Sequence, residues 1–413
     1  MTTLNKGYKD MTRLLRTLII TVPCFALLAS CSDYVTDLDP FIDVIEDSEL
    51  DAPEKVDFLI TGVRQQLSYT MDDMFVNAAG LSDEFIFDLQ TPTAVFPQFG
   101  EIDNGYPLLT NYQVENINSN IGLLRLVADD LIRRVEVIQD IDASTLSEAQ
   151  FIGDFYGGLA RFFGATYLGL ERNNGGACID NGPFIPSSDL YDLAVEKMEA
   201  AISYAADAYE RKVVHSAIAK AYLYQGDYDG AATHAAQGLT EGDAPYQALY
   251  TPQDPTYFDI EAGSQRNQYT ADPRFQAYVE ADPSEANRLP LEPIQGGDKT
   301  FYVQLKYPGP SAPLDVVSWQ ENNLILAELI VRGNASGDAA ELINAVRGSH
   351  GIGPLAGPVT LDTIYEERDK ELFLTGARLP DQRRFDRWHL EADTWRYIPI
   401  DQRERDHNPN LGG

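Results

Sequence analysis

WQENNLILAELIVRGNASGDAAELINAVRGSHG (319–351) and, after a short Gly/Pro loop, TIYEERDKELFLTGARLPDQRRFDRW (363–388) are the stretches whose pattern decides the fold. In the first, Leu324, Ile325, Leu326, Ala327, Leu329, Ile330 and Val331 form an apolar run broken only by Glu328, and Gly333 ends it. A second helix is expected from Asp338, with Glu341 completing a capping box. It sets Ala339, Leu342, Ile343 and Val346 at i, i+3, i+4 and i+7. The two together read as a helical hairpin with one apolar face. Thr363 and Glu366 predict another capping box and Glu366 to Lys370 a favourable i,i+4 pair, so a third helix follows. Its continuation, ARLPDQRRFDRW (377–388), completes a set of five arginines from Arg368 to Arg387 in an otherwise acidic chain. Such arginines are expected to lock local structure by pairing with acids and helix ends.

The same logic applied outward finds more hairpins. A helix is expected over 54–74, carrying Val56, Leu59, Ile60, Val63 and Leu67, closed by GLSDE (80–84). Residues 85–112 are aromatic and turn-rich with no helical period. Helices are expected over 118–138 and 146–170; the second contains AQFIGDFYGGLARFFGATYLGL (149–170), where small residues alternate with large rings and permit close helix approach. After a turn-rich connector at 173–186, Asp189 and Asp192 are read as the cap of a helix running to about residue 210. Residues 212–239 form the clearest repeat. His215, Ile218, Ala219, Tyr222, Gly226, Ala231, Ala235 and Gly238 fall at tetratricopeptide spacing around the turn QGDYDG (225–230). The fold class expected is therefore mostly α: tetratricopeptide-like hairpins stacked in a curved scaffold, with long irregular inserted loops. The main insertion, 243–318, holds ten prolines and short strand-like runs such as YVQLKY (302–307), and is expected to pack on the scaffold. The tail from 395 to 411 is expected to seal it.

Bulk properties narrow the function. The 413 residues are 44% apolar, ample for a core, while 31 Lys+Arg against 64 Asp+Glu give a net charge of −33. That charge argues against nucleic acid and against attraction to an anionic membrane surface. At the N-terminus Lys6, Lys9, Arg13 and Arg16 precede the apolar run 18–28, too short for a membrane span, which reads as a signal peptide over 1–30. It ends in LASC (28–31), which resembles the lipobox of bacterial lipoproteins, where the cysteine is acylated; Cys31 is thus the expected lipidation site. Residues 31–53 would then be the anchor and an acidic tether, and 54–413 a single domain. Cys178 would be the only other cysteine left after processing, so no intrachain disulfide is expected.

No catalytic constellation stands out. The five histidines, His215, His234, His350, His389 and His407, are not paired at ligand spacing in the sequence, and no metal or cofactor is expected. Nucleophile elbows, phosphate-cradling loops and dinucleotide fingerprints are missing. Asp72-Asp73 and Asp83-Glu84 are read as helix-end, solvent-facing acids, and nothing matches an EF-hand. The expectation is a binding protein without catalysis. Rings in turn-rich segments can stack on sugar faces while nearby polar groups take hydroxyls. The candidates are Phe96, Phe99 and Tyr106 in the first loop and Tyr250, Tyr257, Tyr269 and Tyr302 in the second, with Phe258 beside them.

LINAVR (342–347), EERDKELFLTGARLPDQRRFDRW (366–388) and YIPIDQRERDHNPNL (397–411), in that order, resemble the SusD/RagB family of outer-membrane nutrient-binding lipoproteins. The resemblance implies a lipid-anchored protein displayed at the cell surface. It would bind an oligosaccharide, or alternatively a peptide, and deliver it to a SusC-like TonB-dependent outer-membrane barrel. The family's aromatic string in the helix expected over 146–170 is degraded here to Leu159-Ala-Arg-Phe-Phe163, the chain is shorter than usual members, and the segment before Glu328 departs from the family's common string. Two other readings differ in class: a tetratricopeptide-like scaffold for assembling proteins, and a surface glycoside hydrolase, which would need two carboxylates facing across a cleft.

Overall fold

The computed structural model describes residues 47–411, so the expected signal peptide, Cys31 and most of the tether lie outside the described residues. Backbone contacts divide the chain into Met1–Ala52 and Pro53–Gly413, and the architecture belongs to the second unit. Its first helix, α1 (Val56–Leu81), is longer than its periodic part predicts. From Gln66 onward only Tyr69 is exposed, so α1 runs as a central helix and its later turns have no polar face to show a period. The aromatic loop contains a short helix, α2 (Pro97–Asp103), with proline in its first turn; seven residues are too few to reveal a helical repeat.

α3 (Tyr112–Val135) starts earlier than expected because the Asn111 side chain accepts from Gln113 N, and α4 (Ala143–Tyr167) starts at the cap Asp142. The end of the helix expected over 146–170 is instead a strand, Leu168–Glu171. α5 (Ser187–Ile202) begins after Pro186 rather than at Asp189, so the aspartate sits in the first turn and does not cap. The repeat is a hairpin of α6 (Ala208–Gln225) and α7 (Tyr228–Ala235), turned by Gly226 in the left-handed conformation at φ 92°. The insertion adds α8 (Tyr257–Glu261) and α9 (Pro273–Ala281). The last hairpin is α10 (Trp319–Arg332), closed by left-handed Gly333, and α11 (Ala339–Ser349), capped by Asp338 as expected. In α12 (Leu361–Glu371) the capping box is Thr360 with Thr363, one turn earlier than the predicted Thr363 and Glu366, while the Glu366–Lys370 pair forms at 2.6 Å. α13 (Arg378–Arg384) and α14 (Gln402–His407) follow.

Helices pack in chain order. α1 lies against α3 and α4, α4 against α5, α5 against α6, α7 against α10, and α10 against α11 and α12, giving the mostly α stack of hairpins expected from the sequence. Close approach at α4 depends on missing side chains: a Cβ on Gly158 would stand 2.5 Å from Met198 Cγ of α5, and one on Gly153 2.6 Å from Ile132 Cδ1 of α3.

Short strands tie the loops down. One sheet runs in the order β1 (Phe85–Ile86), β6 (Thr270–Ala271), β8 (Lys299–Gln304), β7 (Leu291–Gly296), so it joins the first loop to the insertion. A second joins β4 (Phe184–Pro186), β3 (Asn174–Cys178) and β2 (Leu168–Glu171) to β10 (Ile398–Pro399), which runs parallel to β2 and fixes the C-terminal tail. The two ends of the insertion are clasped by β5 (Tyr246–Ala248) against β9 (Leu314–Val317). Phe258, Tyr269, Phe275 and Tyr307 of the insertion belong to the same hydrophobic core as the helices.

The arginines of the opening stretch act as expected, but over longer range. Arg368 pairs with Asp381 at 2.7 Å and Arg384 Nη2 with Glu328 at 2.7 Å, while Arg383 donates to the carbonyl of Thr166 near the end of α4. Arg378 reaches back to Asp83 at 2.6 Å. From the insertion, Arg274 bridges Asp83 and Asp369, and Arg288 is held by Glu285, Glu367 and Glu371. The acids read as solvent-facing are therefore interior joints. Asp72 accepts from Tyr257 N at 2.9 Å, Asp73 from Asn120 at 3.1 Å, and Glu84 from Leu374 N at 2.7 Å. The reason is that each sits where a distant helix or loop returns, which a local pattern does not report.

Candidate ligand-binding surface

Three of the seven aromatic candidates are corrected by the structure: Phe99, Tyr250 and Tyr269 are buried. Phe99 and Tyr269 meet edge to face at 4.9 Å, Phe85 stacks on Tyr269 at 5.4 Å, and the Tyr269 hydroxyl donates to the carbonyl of Phe99 at 3.1 Å. Tyr250 donates to Ser68 O of α1 at 2.8 Å. Phe258, offered beside them, is likewise fully buried and lies 4.6 Å from Tyr307. A turn-rich segment has no period, yet it must still bury its own rings to hold onto the scaffold. Tyr257 and Tyr302 are half-buried. The first donates to Gln113 at 3.0 Å, and the second sits in β8 opposite Ala271 and Pro293.

Phe96 and Tyr106 keep open rings, 39% and 45% exposed. They stand in two different settings. At Phe96 the first loop meets the insertion: Gln268 Oε1 accepts from Val95 N at 2.9 Å and Phe96 N at 3.0 Å, and the Arg266 guanidinium lies 5.3 Å from the Phe96 ring. The ring is thus already covered on one face by a cation.

Tyr106 stands beside a cleft of about 360 Å³ lined by Pro107, Leu108, Leu170, Arg172, Trp395 and Arg405. Its hydroxyl donates to Asp393 Oδ1 at 2.9 Å, and Arg172 lies 5.7 Å from the ring and 3.6 Å from Asp393. Backbone pairing of Trp395 N with Gly105 O at 2.9 Å holds the C-terminal tail against this loop. Tyr106 carries Arg172 over one face as Phe96 carries Arg266, and its other face and Trp395 lie near guanidinium and carboxylate groups, the combination that handles a sugar ring and its hydroxyls. Trp395, Arg172 and Asp393 were not among the sequence candidates. An indole in a tail assigned to sealing was the one signal that could have raised them.

A larger cavity, about 610 Å³, lies between α3, α4, β3 and α14. Its lining is largely apolar, with Ile121, Leu126, Ala177 and Ile179, and its cations are already paired. Arg161 and Arg125 both bind Asp129, at 2.9 and 3.1 Å, and Arg125 also binds Asp180. Burial pushes the Cys178 thiol at its edge up to about 11, so it is protonated at neutral pH.

The shifted carboxylates are structural. Burial pushes Glu84 up to about 8 and Asp73 up to about 7, each inside the fold on the partners given above. No histidines are paired at ligand spacing along the sequence, but the fold brings two together. His215 on α6 and His234 on α7 face each other, Nδ1 to Nδ1, at 3.0 Å, because the hairpin brings together residues of two antiparallel helices. No cluster of three or more metal-ligating side chains occurs among the described residues.

No protein-family model and no curated protein sequence matches the chain. Solved structures do. A SusD superfamily protein from Bacteroides thetaiotaomicron aligns with a TM-score of 0.70 at 16% identity, over 87% of this chain and 98% of that one. The surface glycan-binding protein A from the same organism aligns at 0.68 and 16%, over 88% and 99%. A laminarin-binding SusD-like protein aligns at 0.68 and 14%, over 86% and 98%. Likeness of this extent at such low identity speaks to architecture, and the conclusion is that this chain has the fold of the SusD superfamily.

Proposed function

We propose that the protein is a surface-displayed, lipid-anchored nutrient-binding protein that captures a glycan and hands it to a SusC-like TonB-dependent outer-membrane barrel, without covalent change to the ligand. The observation that carries the binding half is the cleft lined by Trp395, Arg172 and Arg405, with exposed Tyr106 and its partner Asp393 beside it and the tail joined to the first loop by Trp395 N and Gly105 O. The fold supports the wider reading, since two of the proteins it resembles are a surface glycan-binding protein and a laminarin binder. The lipobox-like LASC (28–31) supports anchoring at Cys31. A repeat scaffold has less in its favour, because the loops that such a scaffold would leave idle are built into the core here.

The test is calorimetric titration with a panel of oligosaccharides, laminarin-derived glucans included, and of peptides, together with copurification of the barrel from membranes. Saturable glycan binding that drops at least tenfold in Tyr106→Ala and in Trp395→Ala, both still folded, is the expected result. Binding of peptides only would replace the ligand class. Failure with every ligand, joined to failure to copurify a barrel, would sink the proposal.

A further inference from the structure

We infer that His215 and His234 form a binding site for a divalent transition-metal ion of the nickel, copper and zinc class, separate from the glycan cleft. The two Nδ1 atoms are 3.0 Å apart, with ring centroids 5.1 Å apart and planes tilted by 48°. Two imidazoles bound to one ion at about 2.05 Å place their nitrogens about 2.9 Å apart when the bonds are at right angles, and about 3.3 Å apart in a tetrahedron. The observed separation falls between these, nearer the right-angled geometry.

One carboxylate lies on the far side of the pair. His234 Nε2 faces Glu199 Oε1 of α5 at 4.0 Å. That distance is beyond a hydrogen bond, and the negative charge biases the proton toward the near nitrogen, Nε2, which leaves the lone pair on Nδ1, on the side of His215. A hydrogen bond between the rings keeps a proton on one Nδ1, whereas an ion requires that proton to sit on Nε2 and takes a lone pair from both Nδ1 atoms. With two protein ligands, the remaining positions belong to water, so the ion would be exchangeable. The side chain of His234 retains 13% exposure, which leaves a route from solvent. Such an ion would clamp α6 to α7 within one repeat.

The experiment is calorimetric titration of the untagged full chain with NiCl2, repeated with ZnCl2. One saturable site is expected, weakened at least tenfold in His215→Gln and in His234→Gln, and unchanged in His350→Gln and His407→Gln. A second measurement needs no substitution: Ni2+ should protect both histidines of the wild-type chain from diethyl pyrocarbonate, read by peptide mass spectrometry. Absence of saturable binding, binding that survives both substitutions, or modification of the pair at an undiminished rate would each overturn the assignment. None of these outcomes depends on the glycan reading.

Discussion

Glu84 shows how one buried side chain sets the response of the protein to pH. Burial pushes its carboxyl up to about 8, against 4.5 for the free group, while its Oε1 accepts the main-chain hydrogen of Leu374, a residue held at φ 60°. The folded chain thus keeps a proton there that the unfolded chain releases above 4.5. Its contribution to stability is complete below that value and declines as pH rises toward about 8, by at most ~1.4 kcal/mol per pH unit. Asp73, pushed up to about 7, acts in the same direction. Asp83 acts oppositely. Burial raises it, but the hydrogen bond from Arg378 and the charge of Arg274 prevail and hold it at about 2, so its contribution is lost as pH falls below the usual carboxylate range. Denaturant midpoints should therefore peak in mildly acid buffer. Glu84→Gln, which keeps an acceptor for Leu374 N, should flatten the decline between pH 5 and 8; an unchanged slope would refute the assignment. The aromatic candidates divide just as sharply. Phe99→Ala removes a ring packed against Tyr269 and should cost about 3–5 kcal/mol in urea unfolding. Tyr106→Ala, at an exposed ring, should leave stability within about 1 kcal/mol and register only in ligand binding.

Among the elements, α12 and its neighbours depend on a buried charge network whose members are not equivalent. Arg288 enters from the insertion and meets Glu285, Glu367 and Glu371, all of them buried, while Arg347 shares Glu367 at 2.6 Å. Removing the Arg288 cation leaves carboxylates stranded in the interior, so Arg288→Met should destabilise by about 3–5 kcal/mol. Arg387 pairs with Asp362 at the surface, their side chains 47% and 77% exposed. Arg387→Met should change stability by less than about 1 kcal/mol. Parallel urea titrations of the two variants give the comparison, and equal effects would contradict it. The helices of this network were legible from spacing and caps. Their partners were not, because Asp83 and Arg378 are brought together by the whole intervening chain.

For the molecule as a whole, the insertion is structural. Its ends are paired through Ala248 and Leu314, close enough to be joined directly, but its interior supplies core rings and the Arg274 and Arg288 anchors. Replacing 249–313 by a short Gly/Ser linker should abolish cooperative unfolding; a shortened chain that still melts in one sharp transition would disprove this. The sequence by itself determined the helical hairpins, the repeat at 212–239, the last hairpin and α12, because apolar spacing and caps are properties of neighbouring residues. It also carried the family resemblance in the fold. Only the tertiary structure decided that Phe99, Tyr250 and Tyr269 are core pegs while Tyr106 stays open beside Trp395. It likewise decided that Asp72, Asp73 and Glu84 are interior joints, and that His215 meets His234. In irregular segments burial is set by what packs from elsewhere in the chain, and no period within the segment records it.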